Sequence, residues 1–281
     1  MVDTRSTPVR EMDIDRPAAA RLQDAFLGGS HNFGVERALV ERIEKALPGI
    51  AGTYRESRAF LRRSVEYLLA HGVRQFLDLG SGIPTIGHVH EVARKRTRHF
   101  RVVYVDNEPL TVGHSKPLLA AELNAAITHA DIRDPQSVFE SPEVRALLAV
   151  DEPVALLMSS VLHFIPDSDD PEGLVAHYRE RLVPGSHLLI SHVTDTHDLP
   201  RARTLADFYA ETADPLHLRS TERIDAFFGD FTQVPPAPTH LADWRPDPGT
   251  PTPPPYRLLH GGMARTSGRF SGGRRAAGQR R

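Results

Sequence analysis

From residue 75 onward the chain alternates short apolar runs with segments of helical periodicity. No other feature of the sequence limits the fold as much. Gln75-Phe-Leu-Asp-Leu79 runs into Gly80, Arg101-Val-Val-Tyr-Val105 into Asp106, and Ala126-Ile-Thr-His-Ala130 into Asp131. Pro153 to Ser159 and His187 to Ser191 are two further runs. Helical stretches fall between them at about 85–98, 109–121 and 136–149, and again after Asp170-Pro171, where Leu174, Val175, Tyr178 and Leu182 share a face. Strands alternating with helices specify a parallel sheet covered on both faces. The expected class is α/β, with a Rossmann-like, mainly parallel sheet.

The flanking segments read differently. Residues 1–15 are a polar arm, expected to be flexible. Helices are expected over Arg16–Phe26, where Pro17 suits a first turn, over Val35–Leu47, and over Ser57–His71 with Gly72 at the C′ position. Residues 16–72 are therefore read as a helical cap or lid, and residues 73–266 as the sheet domain. Further helices are expected over 200–213 and 220–228, and a strand over Phe231–Val234. Nine prolines between 235 and 255 mark a loop, and Tyr256–Ala264 reads as a last strand interrupted by Gly261-Gly262. Residues 267–281 are Gly/Arg-rich and expected to be disordered.

Composition narrows the chemistry. The absence of cysteine excludes disulfides, thiolate zinc sites, iron–sulfur clusters and thiol nucleophiles. A net charge of −2 argues against a general binder of nucleic acid or anionic membrane. It hides an asymmetry, because only arginines follow Asp247 among the charged residues. A nucleic-acid arm is the sharper reading of that tail, but no aromatic interleaves its arginines beyond Phe270, so nucleic acid is not an expected partner. The longest apolar run, Pro153–Phe164, is short of the roughly 20 residues a membrane helix needs. The expectation is a soluble cytoplasmic protein. The scattered histidines suggest no metal site. A homodimer is left open.

Three strand ends carry the candidate chemistry. Gly80-Ser81-Gly82 lies between a strand and a helix, where free N–H groups suit a carboxylate or phosphate. A dinucleotide fingerprint wants a third glycine at Thr85. Asp106 can accept from both ribose hydroxyls of an adenosine, or cap the helix after Pro109. Asp131 can accept from an adenine amino group with Ile132 against the ring, or serve as a turn residue. Adjacent strand tips in such a sheet share one ligand crevice, so the three signals reinforce one another.

A wider set of motifs extends this reading: Arg16-Pro17-Ala18, Phe26-Leu-Gly-Gly29 with Asn32-Phe33, Gln75-Phe-Leu-Asp-Leu-Gly80, Val103-Tyr-Val-Asp-Asn107, Asp131-Ile-Arg-Asp-Pro135, Leu162-His163-Phe164 with Pro166-Asp167, and Ser191-His192. On these residues the chain resembles the class I S-adenosylmethionine (SAM) methyltransferases. More closely, it is similar to an actinobacterial branch once classed as a domain of unknown function. The resemblance spans about residues 16–265 and implies a seven-stranded sheet whose last strand is antiparallel. It also implies that Gly80, Ser81 and Gly82 hold the methionine end of SAM, with Asp78 under the ammonium and Thr85 among the cofactor-binding residues. Asp106 and Asn107 fall at the ribose, Asp131 and Ile132 at the adenine, and Ser159 or Ser160 at the sulfonium. The chain departs from the branch at Phe26, where tyrosine is usual, and at Ser57 and His88, where asparagine is usual.

The implied function is methyl transfer to a small-molecule acceptor, with specialised metabolism as its expected setting. Two other readings stand beside it: a non-catalytic SAM or S-adenosylhomocysteine (SAH) binder, and a nicotinamide-dependent oxidoreductase, since Asp106 also suits that ribose. Methyl transfer needs chiefly in-line placement. Where the acceptor must lose a proton, His163 and His192 are the candidate bases, or else they fix loops by hydrogen bonding. Gly28, Gly29, Asn32 and Phe33, with Phe26, form a candidate lid over the substrate, or a turn between packed helices. Tyr209 is a candidate for the acceptor pocket, or for the core.

Overall fold

The computed structural model describes residues 12–84, 87–149, 151–249 and 256–266. Its helices, in chain order, are α1 (Ala19–Phe26), α2 (Gly34–Ala46), α3 (Ala51–Ala70), α4 (Val89–Arg96), α5 (Pro109–Leu119), α6 (Pro135–Glu140), α7 (Pro142–Leu147), α8 (Pro171–Glu180), α9 (Leu199–Tyr209) and α10 (Thr221–Ala226). The strands are β1 (Gln75–Leu79), β2 (Arg101–Asp106), β3 (Ala125–His129), β4 (Ala155–Ser159), β5 (His187–Val193), β6 (Thr232–Gln233), β7 (Thr239–His240) and β8 (Leu259–Arg265).

Local chemistry explains most of these boundaries. The 136–149 segment, read as one helix, divides into α6 and α7. Pro142 cannot continue a helix but suits a first turn, and Ser141 caps α7 by accepting from Val144 N. Asp134, Asp170, Asp198 and Ser220 cap α6, α8, α9 and α10 in the same way. Helix α3 begins six residues before the expected Ser57, because Ala51–Glu56 carry no apolar periodicity that marks the start.

The strands form one sheet in the order β3-β2-β1-β4-β5-β8-β6, with β7 also paired to β8. Strands β1 to β5 run parallel, and β8 is antiparallel to β5 from Leu259 opposite Val193 to Arg265 opposite His187. The last strand is antiparallel as expected, and the sheet has eight strands rather than seven because the two-residue β7 forms within the proline-rich segment. The glycines do not interrupt the last strand. A Cβ on Gly261 would lie 2.2 Å from Ile190 O, so glycine is what lets β8 approach β5.

Two cores flank the sheet. One packs α3 and α4 with Phe60, Phe76, Tyr104 and Trp244, and the other packs α7, α8 and α10 with Leu79, Met158, Tyr178 and Phe228. Trp244 comes from the proline-rich stretch read as a plain loop. It is fully buried edge-on to Phe60 at 5.3 Å. A third cluster joins α1 and α2 to α9 through Leu22, Leu39, Ile43, Ala202 and Leu205. Buried Arg21 ties this cluster to the sheet: its Nε donates to Glu36 Oε1 at 2.8 Å and its Nη1 to Glu108 Oε1 at 3.0 Å. No helix among the described residues is long and apolar enough to cross a membrane. Residues 1–11 and 267–281, hence most of the expected arm and all of the expected tail, lie outside the described residues.

Candidate active site

The parallel strands deliver their carboxyl ends to one edge, where the loops after β1 and β2 are stitched together. Gly80 N and Ser81 N donate to Val105 O at 2.8 and 3.1 Å. Gly82 N and Glu108 N donate to the two carboxylate oxygens of Asp106 at 2.9 and 3.0 Å. Gly80 has φ +65°, and a Cβ there would lie 2.1 Å from Val161 Cγ2. The cavity above these loops holds about 1100 Å³ of empty space including its open mouth.

The cavity brings together Gly80, Gly82, Asp106, Asn107, Asp131, Ile132, Ser160, His163 and Tyr209 from the expected set. Asp78, Ser81, Ser159 and His192 do not line it. Asp78 is buried beneath the loop, and Ser81 Oγ donates to Gly82 O at 3.1 Å. Ser159 and Ser160 both face Ser191 Oγ, at 3.3 and 3.2 Å, and Ser160 Oγ also lies 3.0 Å from Ser57 Oγ. Ser160 holds φ +57°, the strained left-handed region, at the cavity wall. Thr85 lies outside the described residues.

The expected lid residues are engaged within their own turn. Asp24 Oδ2 accepts from His31 N at 2.8 Å and Asn32 Nδ2 at 2.9 Å. Gly28 takes φ +78°, and a Cβ on Gly29 would lie 2.0 Å from Asp24 Oδ1. Phe33 sits under the Arg21 guanidinium, 5.4 Å away. Phe26 stacks on Tyr54 at 4.0 Å behind the cavity wall. None of these five residues lines the cavity, whereas Ala19, Ala20 and Gln23 of α1 do.

The two histidines differ in placement. His192 is fully buried with both ring nitrogens engaged: Nδ1 lies 2.6 Å from Val193 O, and Nε2 accepts from Arg219 Nη1 at 2.9 Å. Burial first, with Arg219 nearby, pulls its pKa down to about 3. His163 lines the cavity, and its Nδ1 accepts from Val193 N at 3.3 Å, which puts the ring proton on Nε2. Burial, His192 and Arg219 hold His163 neutral. An imidazole whose lone pair already accepts a backbone N–H is poorly placed to take a proton from a substrate.

Carboxylates dominate the electrostatics. Asp106, Glu108, Asp131 and Asp214 line the cavity with Arg133. Burial pushes Asp78 up to about 7, opposed by Arg58 and reinforced by Asp106. Burial likewise pushes Asp106 up to about 6, against the pull of its two backbone N–H donors. Burial would raise Asp131 as well, but Arg133 and Asn107 hold it below its ordinary value. Arg133 Nη2 donates to Asp131 Oδ2 at 2.6 Å and its Nη1 to Asp169 Oδ2 at 3.0 Å.

Sequence reasoning missed Arg133, Tyr54 and Glu108 in the wall. Arg133 was within reach of an argument, two residues after Asp131. Tyr54 was not, because its partner is distant in the chain: its hydroxyl lies 2.9 Å from that of Tyr209.

A mainly parallel sheet with a glycine turn after β1 and acidic tips on β2 and β3 builds the crevice of an adenosine-binding α/β protein. The model of the S-adenosyl methyltransferase family matches residues 5–267. A proposed methyltransferase from Thermobifida fusca, solved as a crystal structure, is 37% identical, with 91% of this chain and 97% of that one covered and a TM-score of 0.85. A DUF574 family protein from Streptomyces avermitilis is 31% identical over 92% of this chain and 100% of that one, also at TM-score 0.85. No curated protein matches. The chain belongs to the S-adenosyl methyltransferase family, and its activity is SAM-dependent methyl transfer.

Proposed function

We propose that the cavity holds SAM across the tips of β1, β2 and β3 and presents its methyl group to a small-molecule acceptor on the β4–β5 side. The observation that carries this reading is the Asp106 carboxylate. It closes the Gly82 and Glu108 loops onto each other and still faces the cavity. The residues fit the group. Gly80 and Gly82 leave a cradle for its methionine end, Asp78 and Asp106 supply negative charge for an ammonium and acceptors for ribose hydroxyls, and Ile132 offers an apolar face to adenine. Asp131 reaches the adenine edge with its carboxylate already shared with Arg133. Bound SAM supplies an activated methyl group, so the chain's part is to position it and exclude water. On this reading His163 acts as a hydrogen-bond donor, and His192 fixes Arg219.

Asp106→Ala is expected to weaken SAH binding by about 1–3 kcal/mol, since the ribose hydroxyls lose a buried partner. Calorimetric titration measures this, and unchanged affinity would place the ribose elsewhere. Gly80→Ala is expected to cost at least roughly tenfold in SAH affinity, because the left-handed φ and the contact with Val161 must both be relieved.

The raised carboxylates give binding a pH dependence. An ammonium and two ribose hydroxyls favour ionised Asp78 and Asp106, which in the free protein become ionised only near pH 7 and 6. SAH affinity is therefore expected to rise at least roughly tenfold from pH 5.5 to pH 8. Stability runs the other way. Both folded pKa values lie above the unfolded value near 4, so these groups stabilise the native state below about pH 4. That contribution is lost as pH rises through 6 and 7. Flat SAH affinity over this window would remove both carboxylates from the site.

A further inference from the structure

The half of the cavity not given to the cofactor restricts the chemistry of the methyl acceptor, a restriction that rests on the cofactor assignment above. Sheet order puts the tips of β3, β2 and β1 on one side and those of β4 and β5, with the start of β8, on the other. The second side is walled by Thr53, Tyr54, Phe164, Leu205 and Tyr209 together with His163. Asp106, Glu108, Asp131 and Arg133 follow β2 and β3 on the first side, whereas the Asp214 carboxylate borders both, since its charge acts on Asp106 and on Tyr209 while it accepts from Ala19 N at the start of α1 at 2.8 Å.

Two consequences follow for whatever binds there. Among the described residues, that wall offers no cationic side chain to pair with an anionic acceptor, and the nearby Asp214 carboxylate repels one, so burying an anion there is strongly unfavourable whereas a cation is tolerated. Nor does the wall offer a good proton acceptor. His163 Nδ1 is occupied by Val193 N, and the Tyr54 and Tyr209 hydroxyls are bonded to each other, with burial holding both protonated. What it does offer is aromatic surface, with Phe164 5.8 Å from Tyr209, and a buried Thr53 hydroxyl that has no protein partner.

We propose that the acceptor is an uncharged, flat apolar molecule that attacks through a nitrogen lone pair it already carries, as a ring nitrogen or aromatic amine does. The lone pair forms the new N–C bond while the S–C bond breaks and its electron pair stays on sulfur. Positive charge passes from sulfur to nitrogen, so the total is unchanged and no counter-ion has to enter. Any proton on the nitrogen leaves to water after release. The aromatic faces favour the cation that forms.

Calorimetry on the full chain tests this with three two-ring probes, after SAH itself has been titrated. The probes are isoquinoline, its N-methyl cation, and the anion 2-naphthoate. The expected result with SAH bound is that isoquinoline and the N-methyl cation bind within tenfold of each other and 2-naphthoate at least tenfold more weakly than either. Tyr209→Leu is expected to weaken the cation more than the neutral ring. Naphthoate binding as tightly as isoquinoline, rejection of the cation alone, or binding of none of the three would overturn the proposal. Failure of SAH to bind would overturn the cofactor assignment as well, whereas normal SAH binding isolates the acceptor claim.

Discussion

Arg21→Ala is expected to destabilise the protein by about 3–5 kcal/mol, the range for removing one partner of a buried ion pair. Arg21 and Glu36 are both 0% exposed and Glu108 is 3% exposed, so the substitution strands two carboxylates away from water. The guanidinium also donates to the carbonyls of Asp13 and Arg16 at 2.9 and 2.8 Å, and these lose their donors together. The effect reaches the site because Glu108 is the anchor at the cavity. It follows the tip of β2, caps α5 by accepting from Thr111 N, and lines the pocket. A lysine offers a point charge in place of a fork, so Arg21→Lys is expected to recover only part of the loss. Urea unfolding measures both variants. A loss below 1 kcal/mol for Arg21→Ala would mean that Glu36 and Glu108 find other partners or take up protons at little cost.

Arg219→Met is expected to cost about 3 kcal/mol of stability and to act on the acceptor side alone. Arg219 is 1% exposed and donates to Leu162 O at 2.9 Å, Ile165 O at 2.7 Å and His192 Nε2 at 2.9 Å. Each acceptor left unsatisfied in the interior costs about 1–3 kcal/mol, partly offset by the apolar replacement. These bonds hold the 162–165 segment that carries His163 and Phe164 into the cavity, whereas Gly80, Asp106 and Asp131 lie on other strand tips. SAH affinity is therefore expected to stay within threefold, while the segment gains faster amide exchange and His192 titrates at a higher pH. A loss of SAH affinity in step with stability would show that the two sides do not act separately.

The strand ends were legible in sequence because a buried parallel strand is a short apolar run and its acidic or glycine terminus breaks that run sharply. Gly80, Asp106 and Asp131 stand out for that reason, and the structure gathers them into one cavity. The arginines were not legible. Arg21 and Arg219 look in sequence like any surface arginine, because only the fold gathers around them the carboxylates and carbonyls that bury them. Asn32 and Phe33 suggested a lid because polar and aromatic groups beside two glycines invite that reading. Asp24, eight residues before Asn32, instead fastens Asn32 into the α1–α2 turn, and Phe33 N donates to Glu36 at the start of α2. His192 shows the limit most clearly. Its place at the end of β5 was right, but only the tertiary structure shows that the ring lies against Arg219 and away from the cavity.

The central claim is that the crevice over β1, β2 and β3 is a SAM site, and titration of the purified chain with SAH, beside NADH at the same concentrations, tests it most directly. The expected result is one SAH bound per chain with no heat from NADH, and a weakening by Asp106→Ala of roughly ten- to a hundredfold. Binding of NADH without SAH, or SAH binding that Asp106→Ala leaves unchanged, would contradict it.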